Sequence, residues 1–353
     1  MAHIAGITYV VSGRLFAIGV DPFYPEASSA DFGLMASPVP VGQVHEPHHR
    51  IYAGAPDGTI YKFARFLPLN PITFSVGEEM RGSLAHADGT LYVGTGQGSL
   101  FALDDTTGDV RWTAAMGGMV MSAPSIAFQN GHPYRVIAGT GGGAFISIKA
   151  LDPTTGAHIW SHDDYPFEQT VYGDSVYYAD VNTRSLRARS VVDGSLLWQY
   201  ASVDNTNFFQ PAVVRNVVYA TSWGDKAYAF DATGGNILWE VQLHFRSPGP
   251  PIVFHDKYHN RELVIFPAGE HSSHARAFLE ALDARSGAHV WSSTTLAARS
   301  GEEVTPPILF AGYVTVGTAD GRVIFVSATT GAVEYEKKLC STPIFEGPRS
   351  ALF

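Results

Sequence analysis

The chain has 353 residues, a formal net charge of −10 at pH 7, and 16% charged against 45% hydrophobic side chains. That balance excludes a disordered chain, and so acidic a chain is a poor general binder of nucleic acid or anionic membranes. The lone cysteine, Cys340, allows neither an internal disulfide nor a Cys-based zinc site, and 36 glycines with 21 prolines point to turns rather than helices.

The first six residues, Met1-Ala2-His3-Ile4-Ala5-Gly6, show no basic stretch and no long apolar core of a secretory signal. No apolar run approaches the ~20 residues of a membrane-spanning helix. A cytoplasmic protein is expected, or an exported one if a leader has been removed. Residues 7–11 and 14–18 read as strands without a preceding partner. Residues 21–34, with Pro22-Phe23-Tyr24-Pro25, are a candidate partner-binding extension. His45-Glu46-Pro47-His48-His49 has metal-ligating residue types, but a first hairpin is expected to carry it away from any central site. Residues 50–55 and 59–63 are the middle strands of a weak unit. The clearest unit follows, with strands at 83–87, 90–95, 99–104 and 110–114, punctuated by Asp88-Gly89 and Gly96-Gln97-Gly98.

That unit ends in a motif, Asp104-x3-Gly108-x3-Trp112, which returns at Asp152-Gly156-Trp160, Asp231-Gly235-Trp239 and Asp283-Gly287-Trp291. Two copies begin with serine: Ser190-Gly194-Trp198 and Ser327-Gly331-Tyr335. The aromatic positions lie 38 to 52 residues apart, close to the period of a four-stranded propeller blade. The aspartate is expected to bond the backbone ahead of it, and the glycine to supply a positive φ. The tryptophan, on an outer strand, should fill the gap between neighbouring units.

The spacing predicts an all-β, eight-bladed β-propeller of four-stranded antiparallel blades in a single domain. The blades are expected at about 1–36 plus 343–353, 37–78, 79–116, 117–166, 167–202, 203–243, 244–296 and 297–342. The N- and C-terminal strands would share one blade and close the ring, removing the exposed sheet edge. Seven blades follow if residues 1–36 are irregular.

The segments 103–108, Ala150-Leu151-Asp152-Pro153-Thr154-Thr155-Gly156-Ala157-His158-Ile159-Trp160 and Ala281-Leu282-Asp283-Ala284-Arg285-Ser286-Gly287-Ala288-His289-Val290-Trp291 resemble the PQQ-like (quinoprotein-type) propeller repeat. The similarity covers about residues 79–342. It implies the fold, while the matched Asp, Gly and Trp positions are architectural and carry no function with them. The family includes PQQ-dependent alcohol dehydrogenases, the scaffold protein of outer-membrane β-barrel assembly, and other non-dehydrogenase members. The dehydrogenases carry an adjacent cysteine pair and a calcium-binding Glu, Asn and Asp. None of these can be placed on a matching motif here, so a non-dehydrogenase member without cofactor or metal is expected. The scaffold members resemble exported lipoproteins, whose leader and lipid-attachment cysteine are not read here.

In a propeller, the turns between second and third strands share a face with the loops between blades, and the funnel there is a default small-molecule site. His271 and His274, in Glu270-His271-x-x-His274, would act as acid or base, since imidazole titrates near neutral pH. A solvated hairpin tip is the plainer reading. Glu303 and Glu346 are further acid/base candidates. Trp223 would stack on a ligand, with Phe208, Phe209, Gln210, Tyr165 and Arg81 lining the funnel and Arg246 or Arg299 steadying an anion. Gly141-Gly142-Gly143 is a turn and not a phosphate loop, because no helix follows. Met116 to Met121 is expected to be packing between blades.

The first functional expectation is a quinone-independent enzyme that binds a small organic substrate in the funnel and performs cyclase- or lyase-type chemistry. The alternative is a protein-binding scaffold, which should show an exposed apolar patch. A PQQ-dependent oxidoreductase comes third. Neither nucleic acid nor membrane insertion is expected.

Overall fold

In a computed structural model the chain forms eight four-stranded antiparallel sheets. The structure describes residues 2–4, 7–12, 14–19, 27–28, 34, 39–41, 50–64, 71–142, 145–243, 247, 249–269, 277–296, 304–310, 312–318, 320–339 and 344, and no helix occurs among them. The sheets cover residues 2–28, 39–75, 85–115, 125–162, 166–201, 212–242, 252–292 and 308–338, and are called first to eighth. In each, the strands neighbour one another in chain order. The chain divides into two compact units, Met1–Pro166 with Phe345–Phe353, and Phe167–Ile344. The first four sheets belong to one unit and the last four to the other.

The third sheet follows its sequence expectation closely, with strands Ala85–Ala87, Thr90–Gly94, Ser99–Asp104 and Val110–Ala115. Its second strand is buried throughout, and its outer strand buries chiefly Trp112. Each repeat tryptophan stands opposite an alanine on the third strand of its sheet: Ala102, Ala150, Ala188, Ala229 and Ala281. The small residue leaves room for the indole. A register shift beside each of these pairs leaves one outer-strand residue unpaired just before the tryptophan, as in a β-bulge.

The turn before that strand is set by the motif. Gly108 N donates to Asp104 O at 2.9 Å, and Asp104 Oδ1 accepts from Thr106 N at 2.8 Å and Thr107 N at 2.9 Å. A hydrogen bond from Arg111, with these backbone donors, holds the Asp104 carboxyl well below the usual carboxylate range. The six repeat glycines have φ between 68° and 81°, a region that L side chains avoid.

The tryptophans do more than fill space. Four indole N–H groups donate to a turn carbonyl of the next sheet: Trp112 to Pro153 O at 2.9 Å, Trp198 to Ala232 O at 2.8 Å, Trp239 to Ala284 O at 2.9 Å and Trp291 to Ala328 O at 3.2 Å. The ring also lies against the next sheet's motif glycine. A Cβ on Gly235 would come within 2.6 Å of Trp198. One glycine therefore serves the turn and the seam together.

The second sheet lacks a tryptophan and holds its seam differently. Phe74 takes the ring's place over Gly108. The missing indole donor is replaced by Lys62 Nζ, 2.7 Å from Asp105 O, while Tyr52 OH, 2.8 Å from the same oxygen, donates as Tyr92, Tyr177 and Tyr219 do in the seams that have a tryptophan. Lys62 is buried, and its ammonium faces the rings of Phe74 and Tyr52 at 5.6 and 5.9 Å. Burial lowers the Lys62 pKa from its ordinary value, with Arg50 acting in the same direction.

The first sheet takes all four of its strands from residues 2–28. The partner that the sequence reading sought at the C-terminal end is supplied by Ala2–Ile4, which pairs with Ile7–Ser12. A three-residue strand is too short to show a period. Residues 345–353 lie outside the described residues, as do the histidines at 45, 48 and 49 and all of 21–34 except Ala27, Ser28 and Leu34.

Candidate functional site

In the second unit, the loop between the fifth and sixth sheets runs beside the turn joining Val217–Thr221 to Lys226–Asp231. Phe208 and Ser222 form an isolated antiparallel bridge, Phe209 N donates to Thr221 O at 2.9 Å, and Trp223 N donates to Asn207 O at 2.8 Å. This short pairing aligns the Phe209 and Trp223 rings, whose centroids lie 5.9 Å apart with a tilt of 33°. Phe209 is buried and Trp223 half-buried. The indole thus contributes surface, with Phe209 beneath it.

Successive residues of an extended segment point to opposite sides, and Phe208 accordingly turns into the core. It is 1% exposed and packs against Tyr228 at 5.5 Å and Tyr200 at 6.2 Å. It is a packing residue and not the lining residue expected. Gln210 ties the loop to the fifth sheet, its Nε2 donating to Gln169 O at 3.2 Å and Thr170 Oγ1 at 3.4 Å.

Sequence reasoning missed the rest of this surface. Val203 is 76% exposed. Beside it, Asp204 accepts hydrogen bonds from Ser202 Oγ and from Thr206 Oγ1, the latter at 2.9 Å. Burial works against the charged form of Asp204, but these two hydrogen bonds outweigh it and hold the carboxyl below its ordinary value. Asp204 therefore stays ionised at neutral pH, which suits a charged rim and not a general acid. It lies directly on Gly224, where a Cβ would sit 1.7 Å from Asp204 Oδ2. Gly224 follows Trp223 in the turn, and that adjacency was the available signal. Nearby, Lys226 pairs with Glu240 at 2.6 Å.

Two expected site residues lie in the first unit. Arg81 pairs with Glu79 at 2.9 Å, with both side chains well exposed. The Tyr165 ring covers Gly141, where a Cβ would come within 2.8 Å of it. His271, His274, Glu303, Glu346, Arg246 and Arg299 lie outside the described residues. Among the described residues, no group of three or more His, Cys, Asp or Glu could hold a metal ion. What the described residues bring together is an apolar surface with a carboxylate rim.

Comparison with known proteins identifies a family. The sequence matches the family described as outer membrane protein assembly factor BamB over residues 62–263 and 275–350. It is 24% identical over 296 residues to the outer membrane protein assembly factor BamB of Shewanella oneidensis, covering 79% of this chain and 69% of that protein. It is 23% identical over 288 residues to the protein of the same name from Yersinia pestis, covering 76% and 66%. The crystal structure of BamB from Moraxella catarrhalis superposes with a TM-score of 0.66 at 18% identity, covering 88% of this chain and 90% of that one. These relatives overturn the expectation of a cyclase or lyase acting on a small organic substrate, because they are named for the assembly of membrane proteins and for no reaction. With a match over most of its length, the chain belongs to the BamB family of outer membrane protein assembly factors, within the non-dehydrogenase PQQ-like repeat proteins.

Proposed function

We propose that the protein is a scaffold that binds other proteins during the assembly of outer membrane proteins, and that it works outside the cytoplasm. The observation that carries this reading is the half-buried Trp223 indole against Phe209, with the Asp204 carboxylate on the adjacent Gly224, in a loop that also exposes Val203. Large rigid aromatics with little side-chain freedom are the usual anchors of protein interfaces. A polar rim around an apolar centre is the usual anatomy of such contacts. The relatives' names support the setting, and they lend no support to the cytoplasmic location expected from the first residues.

The test is complementation. In source cells lacking the gene, outer membrane β-barrel proteins should fall in amount, and the wild-type chain should restore them. Val203→Glu puts a charge on the exposed loop that carries Asp204 and should fail to restore them at equal protein level. Full restoration by Val203→Glu and by Trp223→Ala would remove this surface from the function. Unchanged β-barrel levels without the gene would count against the scaffold reading itself.

A further inference from the structure

We infer that the Asp204 carboxylate and the Trp223 indole together take an arginine side chain of the protein partner. The inference deepens the scaffold reading, on which it rests for its setting, by naming what the partner presents.

The carboxylate is available. Asp204 is exposed, and its hydrogen bonds from Ser202 Oγ and Thr206 Oγ1 both end on Oδ1. Among the described residues, no other residue donates to Oδ2. The nearby cations are engaged elsewhere. Lys226 pairs with Glu240 at 2.6 Å, and Arg184 gives Nη1 to Asn205 Oδ1 at 2.8 Å. Among the described residues Asp204 forms an ion pair with neither. It therefore offers a full negative charge with one oxygen open, and covering it with an apolar group would cost its hydration.

The indole is close by. A Cβ on Gly224 would lie 1.7 Å from Asp204 Oδ2, so that oxygen is about 3 Å from the Gly224 Cα, and one step of about 3.8 Å separates this Cα from that of Trp223. Phe209 backs the half-buried indole at 5.9 Å. The pairing of Trp223 N with Asn207 O at 2.8 Å holds the turn to the loop that carries Asp204.

The chemistry selects the occupant. An indole face attracts cations, arginine more often than lysine. A guanidinium is flat, stacks on aromatic rings, is weakly hydrated and keeps its charge at any working pH. It has five donors, enough to serve Oδ2 while it lies on the ring. An ammonium is strongly hydrated and has no flat face. The net charge of −10 further draws a basic segment toward the chain.

The test uses the purified, isotope-labelled full chain in an NMR titration with Nα-acetyl-arginine amide as the probe. A saturable shift of the Gly224 amide and Trp223 indole resonances is expected. The citrulline analogue, similar in shape but uncharged, and the lysine analogue should each bind about fivefold more weakly. Asp204→Asn should weaken arginine binding by about fivefold, the order for an exposed ion pair, and Trp223→Leu by about as much. Asparagine still accepts from Ser202 and Thr206, so the loop is kept. Asp109→Asn, the same change of charge on an exposed turn of the third sheet, should leave binding unchanged. No saturable shift, equal binding of the citrulline or the lysine analogue, or undiminished affinity in Asp204→Asn would overturn the assignment. An equal loss in Asp109→Asn would overturn it too, since the general attraction of an acidic chain would then account for the binding. Because no cell and no partner is present, this result and the complementation result can fail independently.

Discussion

The seam between the second and third sheets permits a quantitative test of how the sheets are joined. There Asp105 O accepts from both Lys62 Nζ at 2.7 Å and Tyr52 OH at 2.8 Å, and both side chains are buried. Tyr52→Phe removes one donor and leaves the other, at a cost of about 1 kcal/mol. Lys62→Met loses a charged hydrogen bond but also ends the burial of an ammonium, and the flexible methionine fills similar volume. The net cost should again be about 1 kcal/mol. The double variant leaves this buried carbonyl with neither donor, which adds about 2 kcal/mol. The pair should therefore cost about 4 kcal/mol, well beyond the sum of the single effects. Urea unfolding followed by tryptophan fluorescence measures all four proteins. A double variant within about 0.5 kcal/mol of additivity would refute the shared-acceptor account of this seam.

Two further outcomes follow from the same contacts. Gly235→Ala forces a Cβ to 2.6 Å from Trp198 at a φ of 68°; it should destabilise by about 2 kcal/mol or more in thermal unfolding, and a neutral effect would contradict the double role of the motif glycine. Burial, aided by nearby carboxylates, pushes the pKa values of Tyr52 and Tyr219 up to about 12. The folded protein keeps these protons where the unfolded chain, with phenols near 10, loses them. Stability should be complete below about pH 10 and decline as pH rises toward 12. Denaturation midpoints across that window check this, and a Tyr52→Phe, Tyr219→Phe variant should flatten the decline; an equal decline in that variant would refute the assignment.

The fold was legible because its motif joins a turn requirement to a packing requirement. Asp104, Gly108 and Trp112 each have a local reason to be where they are, and their recurrence marks the sheets. The partner of each indole N–H was not legible, since a backbone carbonyl in the following sheet has no signature. For the same reason nothing in the sequence marks Lys62, which replaces an indole donor in a sheet without tryptophan. At the candidate surface, Trp223 stood out as the tryptophan outside the repeat. The division between Phe208 and Phe209 depends on a register that the loop sequence does not encode. The run Met116 to Met121 is expected to pack between blades; Met116 and Val120 do, while Met119 and Met121 are half-exposed, because the sequence of the run does not show which positions turn inward. Function was misread because an aromatic, polar-rich turn region suits a small ligand and a protein partner alike.

In-cell photo-crosslinking at the Val203 position tests the central claim most directly. A photoreactive benzoylphenylalanine replaces Val203, or Val110 as a comparison that is 50% exposed on an outer strand of the third sheet. The account predicts a discrete adduct from position 203 to a protein of outer-membrane assembly and none from position 110. The absence of any protein adduct from position 203, or the same diffuse adducts from both positions, would contradict a scaffold that works through this surface.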